Sequence, residues 1–566
     1  MQALIAADRL TRWFVLLCLA GGVAAIIAAL DYSGYPHPPV RFWIFEYLLR
    51  TQDITGGALL LVLVLAACLR PGRELAAGFA DAIGRRPWLT AALVFVALCL
   101  GALFVEHGHP LAQDEYAALF QSKAFAAGRL TGEFPPKFIG RLIPPIYLNQ
   151  FLYGSFETGR VASAYWPAFA AILAPFSALG APWACNAFLA ATALVLIGRL
   201  AERITGRREA RGWAMLLAVA SPAFSAMAIS YFSMTAHLLL NLVFASLLME
   251  TTTLRRLVAA GFVGSVALLL HNPLPHMLFA LPWIAWLALQ PGGYRKLLAL
   301  GAGYAPLALL VGFGWALLLS DIQGPTDYAL YPFDVNPLHR LANFFWSWHV
   351  KLRTALPHPG EEVLGMRMAD LSRLWNWAVP GLALLAAAGW WLGRRDARVA
   401  LLGLSMLCTM GGYLFIGFTA GHGWGARYLH PAWGVLPILA ALALTRVREP
   451  RRPDSLPAYV ASLAVLSLVI ATALRAWQID GYMKMALAQR PPAVPGERQI
   501  VVVTYDRKNY TADLVQNDPF LRDPVWYMLS YGRALDVDFM RSYFPRARLA
   551  HEDPRGQVWQ LEAGKR

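Results

Sequence analysis

The sequence predicts a polytopic α-helical membrane protein with about 13 spans. Three observations carry that prediction. Hydrophobic residues make up 58% of the chain, charged residues only 15%, and the mean hydropathy is +0.47, a composition whose natural solvent is hydrocarbon. Apolar runs long enough to span a bilayer recur along most of the chain. The net charge of +15 collects in short Arg-rich loops between alternate runs, which is the bias that orients membrane proteins rather than a polyanion-binding face.

The first span follows Arg9 and Arg12 and runs from Trp13 to Leu30. It is longer than a signal-peptide core, and its exit, AALDYSG, is a poor cleavage context, so it reads as an uncleaved span. After the amphipathic stretch RFWIFEYLLR a second span covers residues 54–69, and Arg70, Arg73, Arg85 and Arg86 then mark a cytoplasmic loop. A third span, 88–105, returns the chain to the outside. The apolar run 164–180 is short and carries Pro167 and Pro175. If it crossed the membrane, the next run would deliver Arg199, Arg203, Arg207, Arg208 and Arg211 to the outer face, so it reads as an interfacial or re-entrant helix within one long outer loop, 106–182.

The remaining expected spans are 183–198, 212–229, 235–250, 257–271, 274–290, 297–320, 377–393, 399–419, 428–445 and 456–474. Every loop that this alternation puts inside is basic: Arg255 and Arg256; Arg295 and Lys296; Arg394, Arg395 and Arg398; Arg446, Arg448, Arg451 and Arg452. A second outer loop, 321–376, mixes aromatic residues with His339, Arg340, His349, Lys351 and Arg353, and reads as an interfacial aromatic belt more readily than as a sugar-stacking surface. Beyond the linker PPAVPG, QIVVVTY reads as a strand, and the tail is expected to form a small α/β cap on the outer face. The division is therefore 1–87 for two N-terminal spans, 88–475 for the membrane body, and 476–566 for the cap.

Function-bearing signals are few. Cys18, Cys68, Cys99, Cys185 and Cys408 all lie inside apolar runs without ligand spacing, and read as core residues. No phosphate-binding glycine loop, dinucleotide fingerprint or HExxH motif occurs, which argues against ATP-driven chemistry by this chain alone. What stands out is HPLAQDEYAALFQSKAFAAGRL, residues 109–130, which sets Asp114 and Glu115 just beyond a span. Ionisable groups at a membrane edge are costly to hold and usually mark a working site. Neighbours on a helix diverge by about 100°, so the two carboxylates face different surroundings. One suits a general base, and its neighbour an orienting, amine-binding or cation-binding role; equally, both could simply cap the helix.

The run DEYAALFQSKAFAAGRL, the segment YWPAFAAILAPFSALGAPWACNAFLAATALVLIGRLAERITGRR, the SYFSMTAH segment and the GWGARYLHP turn together resemble the integral-membrane glycosyltransferases of the GT-C superfamily. The likeness is to family 39 and its relatives, the protein O-mannosyltransferases and lipid A aminoarabinose transferases. It spans residues 88–450, with two spans added in front. The resemblance implies an inverting transferase of a bacterial inner membrane. Such an enzyme moves a sugar from a polyprenyl-phosphate donor to an envelope lipid, glycan or protein on the periplasmic face, with Asp114 as general base.

A leaving phosphate needs fixed cations. Arg427, the one basic side chain of a short outer loop, is the first candidate, and Lys123, Arg141, Arg340 and Lys351 are further ones. Tyr116, His237, His271 and Tyr428 are candidates for the donor or acceptor pocket. No cofactor is required; a divalent cation is left open, with Glu115 as its ligand if one is used. A carrier of lipid-linked sugars and a non-catalytic scaffold for envelope-glycan assembly are the competing readings. The carrier lacks the repeat symmetry and midplane polar residues such proteins usually have.

Overall fold

A computed structural model describes residues 8–34, 47–69, 72, 76, 78–250, 253–326, 329–356, 363–416, 423–447, 455–494 and 496–562. Arg70, Arg73, Arg448, Arg451, Arg452 and the first half of RFWIFEYLLR lie outside them.

A helix underlies each expected span. Among the described residues, six helices are long and apolar enough to cross a membrane: Arg9–Asp31, Leu49–Ala66, Pro87–Phe104, Ala184–Thr205, Gly293–Gln323 and Leu456–Leu487. A seventh candidate is the pair Arg208–Val219 and Pro222–Ile229, bent by 64°. Pro222 sits at the start of the second helix of the pair, where it cannot donate to the preceding turn. Five further expected spans appear as shorter apolar helices, Met234–Leu248, Leu274–Leu289, Leu382–Gly393, Ala397–Tyr413 and Val435–Leu444, and the run 257–271 appears as helix Leu254–Leu268. Length and composition alone thus qualify about half of the spans that charge alternation predicts. The long span Gly293–Gln323 passes through a π-helical stretch, Ala308–Phe313, directly after Pro306, where the missing N–H disrupts the usual ladder.

Outward-facing side chains on these helices are apolar. Trp88, Leu93, Val96 and Leu100 on helix Pro87–Phe104 are all more than half exposed, the inverse of a water-soluble surface and the expected face for lipid. Polar groups turn inward. Asp53 accepts from Arg373 Nε at 3.0 Å and from Trp377 Nε1 at 2.6 Å, and the Arg475 guanidinium lies 4.1 Å from the Trp377 ring while donating to Asn376 O at 2.6 Å. This buried cluster ties the N-terminal spans to the rest of the bundle.

The acidic stretch folds as helix Gln113–Ala126, which packs on helix Ala168–Ala178 with a Ser122–Ser177 hydroxyl contact of 2.7 Å. The run 164–180 is therefore a single helix of 11 residues with Pro175 inside it, too short to cross a bilayer. Between the two helices lies an antiparallel sheet of order β1-β3-β2, from strands β1 (Gly132–Glu133), β2 (Leu152–Gly154) and β3 (Arg160–Ser163). Ser163 N–H at the end of β3 donates to Gln121 Oε1 at 3.0 Å, so the sheet is anchored to the acidic helix.

The strand expected at QIVVVTY is β4 (Gln499–Val503), buried throughout. It joins β5 (Val525–Leu529), β6 (Arg548–Asp553) and β7 (Gly556–Gln560) in a sheet of order β5-β4-β7-β6, parallel between β4 and β5 and otherwise antiparallel. Its core is shared with the loop 106–182: Ile500, Val502 and Met528 cluster with Tyr116, Phe120, Phe134 and Ile139. Gln113 Nε2 reaches Asp513 O at 3.4 Å, and the Tyr116 hydroxyl donates to Asn517 O at 2.7 Å while accepting from Asn517 N–H at 2.8 Å. The C-terminal sheet unit thus grips the first turn of the acidic helix.

Candidate active site

The two carboxylates point apart, as helix geometry requires. Asp114 lines a cleft enclosing about 340 Å³, its open mouth included, whose walls are Tyr165, Trp166, Phe169, Phe232, Ser233 and His271 among others. Its side chain keeps 19% exposure, so a substrate in the cleft can reach it. Tyr165 O–H donates to Oδ1, and Arg427 Nη1 donates to Oδ2 at 3.0 Å. The Tyr165 and His271 rings pack with centroids 3.7 Å apart and planes tilted by 30°. Burial alone would raise the Asp114 carboxyl, but Arg427, His271 and the Tyr165 hydroxyl outweigh it and hold the group below the usual carboxylate range. His271 sits beyond the end of helix Leu254–Leu268.

Glu115 faces the opposite way and is fully buried. Its Oε2 accepts from Leu111 N–H at 2.9 Å and Ala112 N–H at 3.3 Å, and its Oε1 from Tyr231 N–H at 2.7 Å. This is the carboxylate half of a capping box; Ala112, at the N-cap, has no side-chain acceptor to supply the other half. Burial pushes Glu115 up to about 7, opposed by these three amides. Nearby Glu106, buried and bonded to Trp424 Nε1 at 3.2 Å, is pushed well above its usual range by burial and by Glu115. A buried carboxyl whose oxygens already receive three N–H groups fits a bracing role and does not fit a divalent cation.

Local sequence explains how the walls are held. The SYFS turn follows helix Pro222–Ile229, and Asn186 Nδ2 donates to Ser230 O at 2.7 Å and Phe232 O at 2.8 Å. Together with the Glu115 bond to Tyr231, this fixes Phe232 against Arg427, whose guanidinium carbon lies 4.7 Å from the Phe232 ring and 5.2 Å from that of Tyr428. Arg427 itself follows a glycine turn. Gly423 and Gly425 have φ of +132° and +57°, conformations open to glycine at little cost. A Cβ at Gly423 would lie 3.3 Å from both Arg427 Cδ and the Phe232 ring.

Of the residues singled out in the sequence, the structure brings Asp114, Arg427, His271 and Tyr428 together. It takes others elsewhere. Arg141 is buried against Asp536 of the C-terminal unit, and the half-buried Arg340 pairs with Asp321 and the carbonyl of Leu317, because each finds a closer acceptor than the cleft offers. Lys123 stands in the last turn of the acidic helix, away from Asp114 at its start. Tyr116 is turned to Asn517 and leaves the pocket. His237 is buried in helix Met234–Leu248, below the cleft wall. The Lys351 side chain lies outside the described residues. Sequence reading passed over Tyr165, Phe232 and Ser233. All three sit in segments that were quoted, YWPAF and SYFS, but they carry no charge to draw attention.

Fold and site together define a multi-pass helical membrane protein with an acid–arginine pair at a cleft beside the loop 106–182. The fold is similar to that of ArnT from Cupriavidus metallidurans. Its apo structure matches with TM-score 0.50 and 14% identity over 83% of this chain and 97% of that one. The structure of the same protein bound to undecaprenyl phosphate matches with TM-score 0.52 and 14% identity over 85% and 100%. The chain is therefore similar to that protein in fold. The oligosaccharyltransferase of Archaeoglobus fulgidus matches at TM-score 0.40 with 12% identity over 76% and 62%, too remote to argue from. No protein-family model and no curated protein matches the chain.

Proposed function

We propose that this chain is an inverting glycosyltransferase that takes a sugar from a polyprenyl-phosphate donor at the periplasmic face of a bacterial inner membrane. On this reading it has the 13 expected spans, residues 88–475 form the catalytic body, and 476–566 form a small α/β unit bracing it from outside. The observation that carries the reading is the Asp114–Arg427 pair, 3.0 Å apart at a cleft in a fold shared with a protein whose structure holds undecaprenyl phosphate.

The chemistry follows from the geometry. The acceptor hydroxyl attacks C1 of the sugar, its proton passes to the Asp114 carboxylate, and the C1–O bond to phosphate breaks on the opposite face, releasing polyprenyl phosphate. Asp114 is ionised at neutral pH and reachable from the cleft. Arg427 Nε is buried without a hydrogen-bond partner among the described residues, leaving donor capacity for the phosphate as negative charge gathers there. Glu115 is a positioning residue that ties the acidic helix to the SYFS turn. The acceptor belongs to the envelope lipids, glycans or proteins.

Purified protein in lipid nanodiscs, given labelled donor, tests the proposal. A transferase yields glycosylated acceptor and free polyprenyl phosphate. Relocation of intact donor across a vesicle membrane would instead identify a carrier, and inertness in both assays a scaffold. In the transfer assay Arg427→Ala is expected to weaken donor use by about 10- to 100-fold, as for loss of a charge-assisted bond of roughly 1.5–3 kcal/mol.

A pH dependence follows as well. Because the folded Asp114 carboxyl is held low, the base stays ionised, and kcat/KM should fall only as pH drops through that low value. Tyr165→Phe removes one of the donors that hold it there. The acid limb of the kcat/KM profile is expected to move toward neutral pH, and an unmoved limb would remove Tyr165 from the tuning of the base.

A further inference from the structure

Ser233 has the position of a helix cap and does not act as one. It precedes helix Met234–Leu248, where a serine normally folds its hydroxyl onto an exposed amide. Here its backbone is helical, φ −69° and ψ −5°, and its side chain caps nothing. The residue is 5% exposed, its Oγ has no partner among the described residues, and it lines the same cleft as Asp114. One turn on, His237 donates its N–H to Ser233 O at 3.0 Å. The His237 ring is fully buried, with both nitrogens unpartnered among the described residues. A buried hydroxyl and a buried imidazole left unsatisfied on one helix face cost free energy unless something completes them.

Several other polar groups of the wall are engaged. Gln121 accepts from Ser163 N–H and donates to Leu130 O, Ser163 Oγ accepts from Tyr165 N–H, and both Asp114 oxygens have donors. Trp166, Phe169 and Phe232 supply apolar faces around them, the mixture of flat apolar wall and few polar points that binds small polyhydroxylated rings. We propose that Ser233 is a specificity-determining subsite that takes one hydroxyl of the transferred sugar, the sugar hydroxyl completing the Oγ that the fold leaves open.

This rests on the donor reading above, so the test separates the two. Binding to the full-length protein in nanodiscs is measured for undecaprenyl phosphate, for undecaprenyl-phosphate hexoses, and for the hexose derivatives lacking one hydroxyl at C2, C3, C4 or C6. The wild type should bind at least one hexose-bearing lipid more tightly than the bare lipid. Ser233→Ala should weaken that lipid about tenfold, the worth of one buried hydrogen bond, while leaving bare undecaprenyl phosphate within about twofold. Ser233→Thr, which keeps the hydroxyl, should restore most of the loss. One deoxy derivative should already bind the wild type weakly and lose nothing further in Ser233→Ala.

Equal weakening of every deoxy derivative by Ser233→Ala, no weakening of any sugar-bearing lipid, or no hexose bound better than bare lipid would each overturn the subsite while the donor reading stands. Failure of the wild type to bind undecaprenyl phosphate at all would overturn the donor reading, and the subsite with it.

Discussion

Asp114→Asn is expected to lower turnover by about 10²- to 10⁴-fold, the contribution of a positioned general base, with the fold and the cleft kept. Asparagine has nearly the same shape; its amide oxygen can still accept from Arg427 while its NH2 donates to the Tyr165 hydroxyl oxygen, in place of the two bonds that the carboxylate accepts. What it cannot do is take the proton of an attacking hydroxyl. Loss should therefore fall on kcat more than on donor binding, which could even tighten once Arg427 is released from a charged partner. Single-turnover transfer by the purified variant, alongside binding of undecaprenyl phosphate, gives both numbers. Near-normal turnover would sink the assignment of Asp114 as base.

The second large effect concerns stability. Asp53 is 2% exposed and holds Arg373 and the Trp377 indole, with Arg475 stacked on that same indole. Asp53→Ala would leave Arg373 buried without its anion and Trp377 without its acceptor. Breaking one side of a buried ion pair costs about 3–5 kcal/mol, more than most single substitutions. Asp53→Asn should recover part of this by keeping an acceptor for Trp377. Thermal unfolding in detergent, followed by tryptophan fluorescence, should rank wild type above Asp53→Asn above Asp53→Ala. Indistinguishable melting curves for all three would mean that water or lipid replaces the carboxylate, and that the cluster does not secure the N-terminal spans.

The sequence already contained the principal pair of the candidate site, for a physical reason. Asp114 and Arg427 are charges just outside apolar runs, and such charges are rare enough in a membrane protein to be informative singly. The same reasoning could not rank the remaining cations. Arg141, Arg340 and Lys123 also follow or border apolar segments, and only the tertiary fold shows that Asp536 and Asp321 take the first two and that Lys123 stands at the far end of its helix. Tyr165 and Ser233 were illegible for the opposite reason: a tyrosine and a serine in an apolar context read as interface and cap, and only the position of the cleft distinguishes them. Charge alternation placed the helices well because it samples many loops at once. Length failed for several helices, as a bend at Pro222 or a helix of 10–17 residues falls below any simple span criterion.

The grip of the C-terminal unit on the acidic helix also sets an order of events in biogenesis. Tyr116 and Asn517, joined by two hydrogen bonds, are 401 residues apart in sequence. A ribosome adding about 5–20 residues per second therefore leaves the first turn of the acidic helix without its brace for roughly 20–80 seconds, while the later helices are still being made and inserted. During that interval Asp114 can be outside the membrane, yet the helix bearing it has no C-terminal partner to fix its direction. The candidate site is consequently among the last parts of the molecule to take its final form.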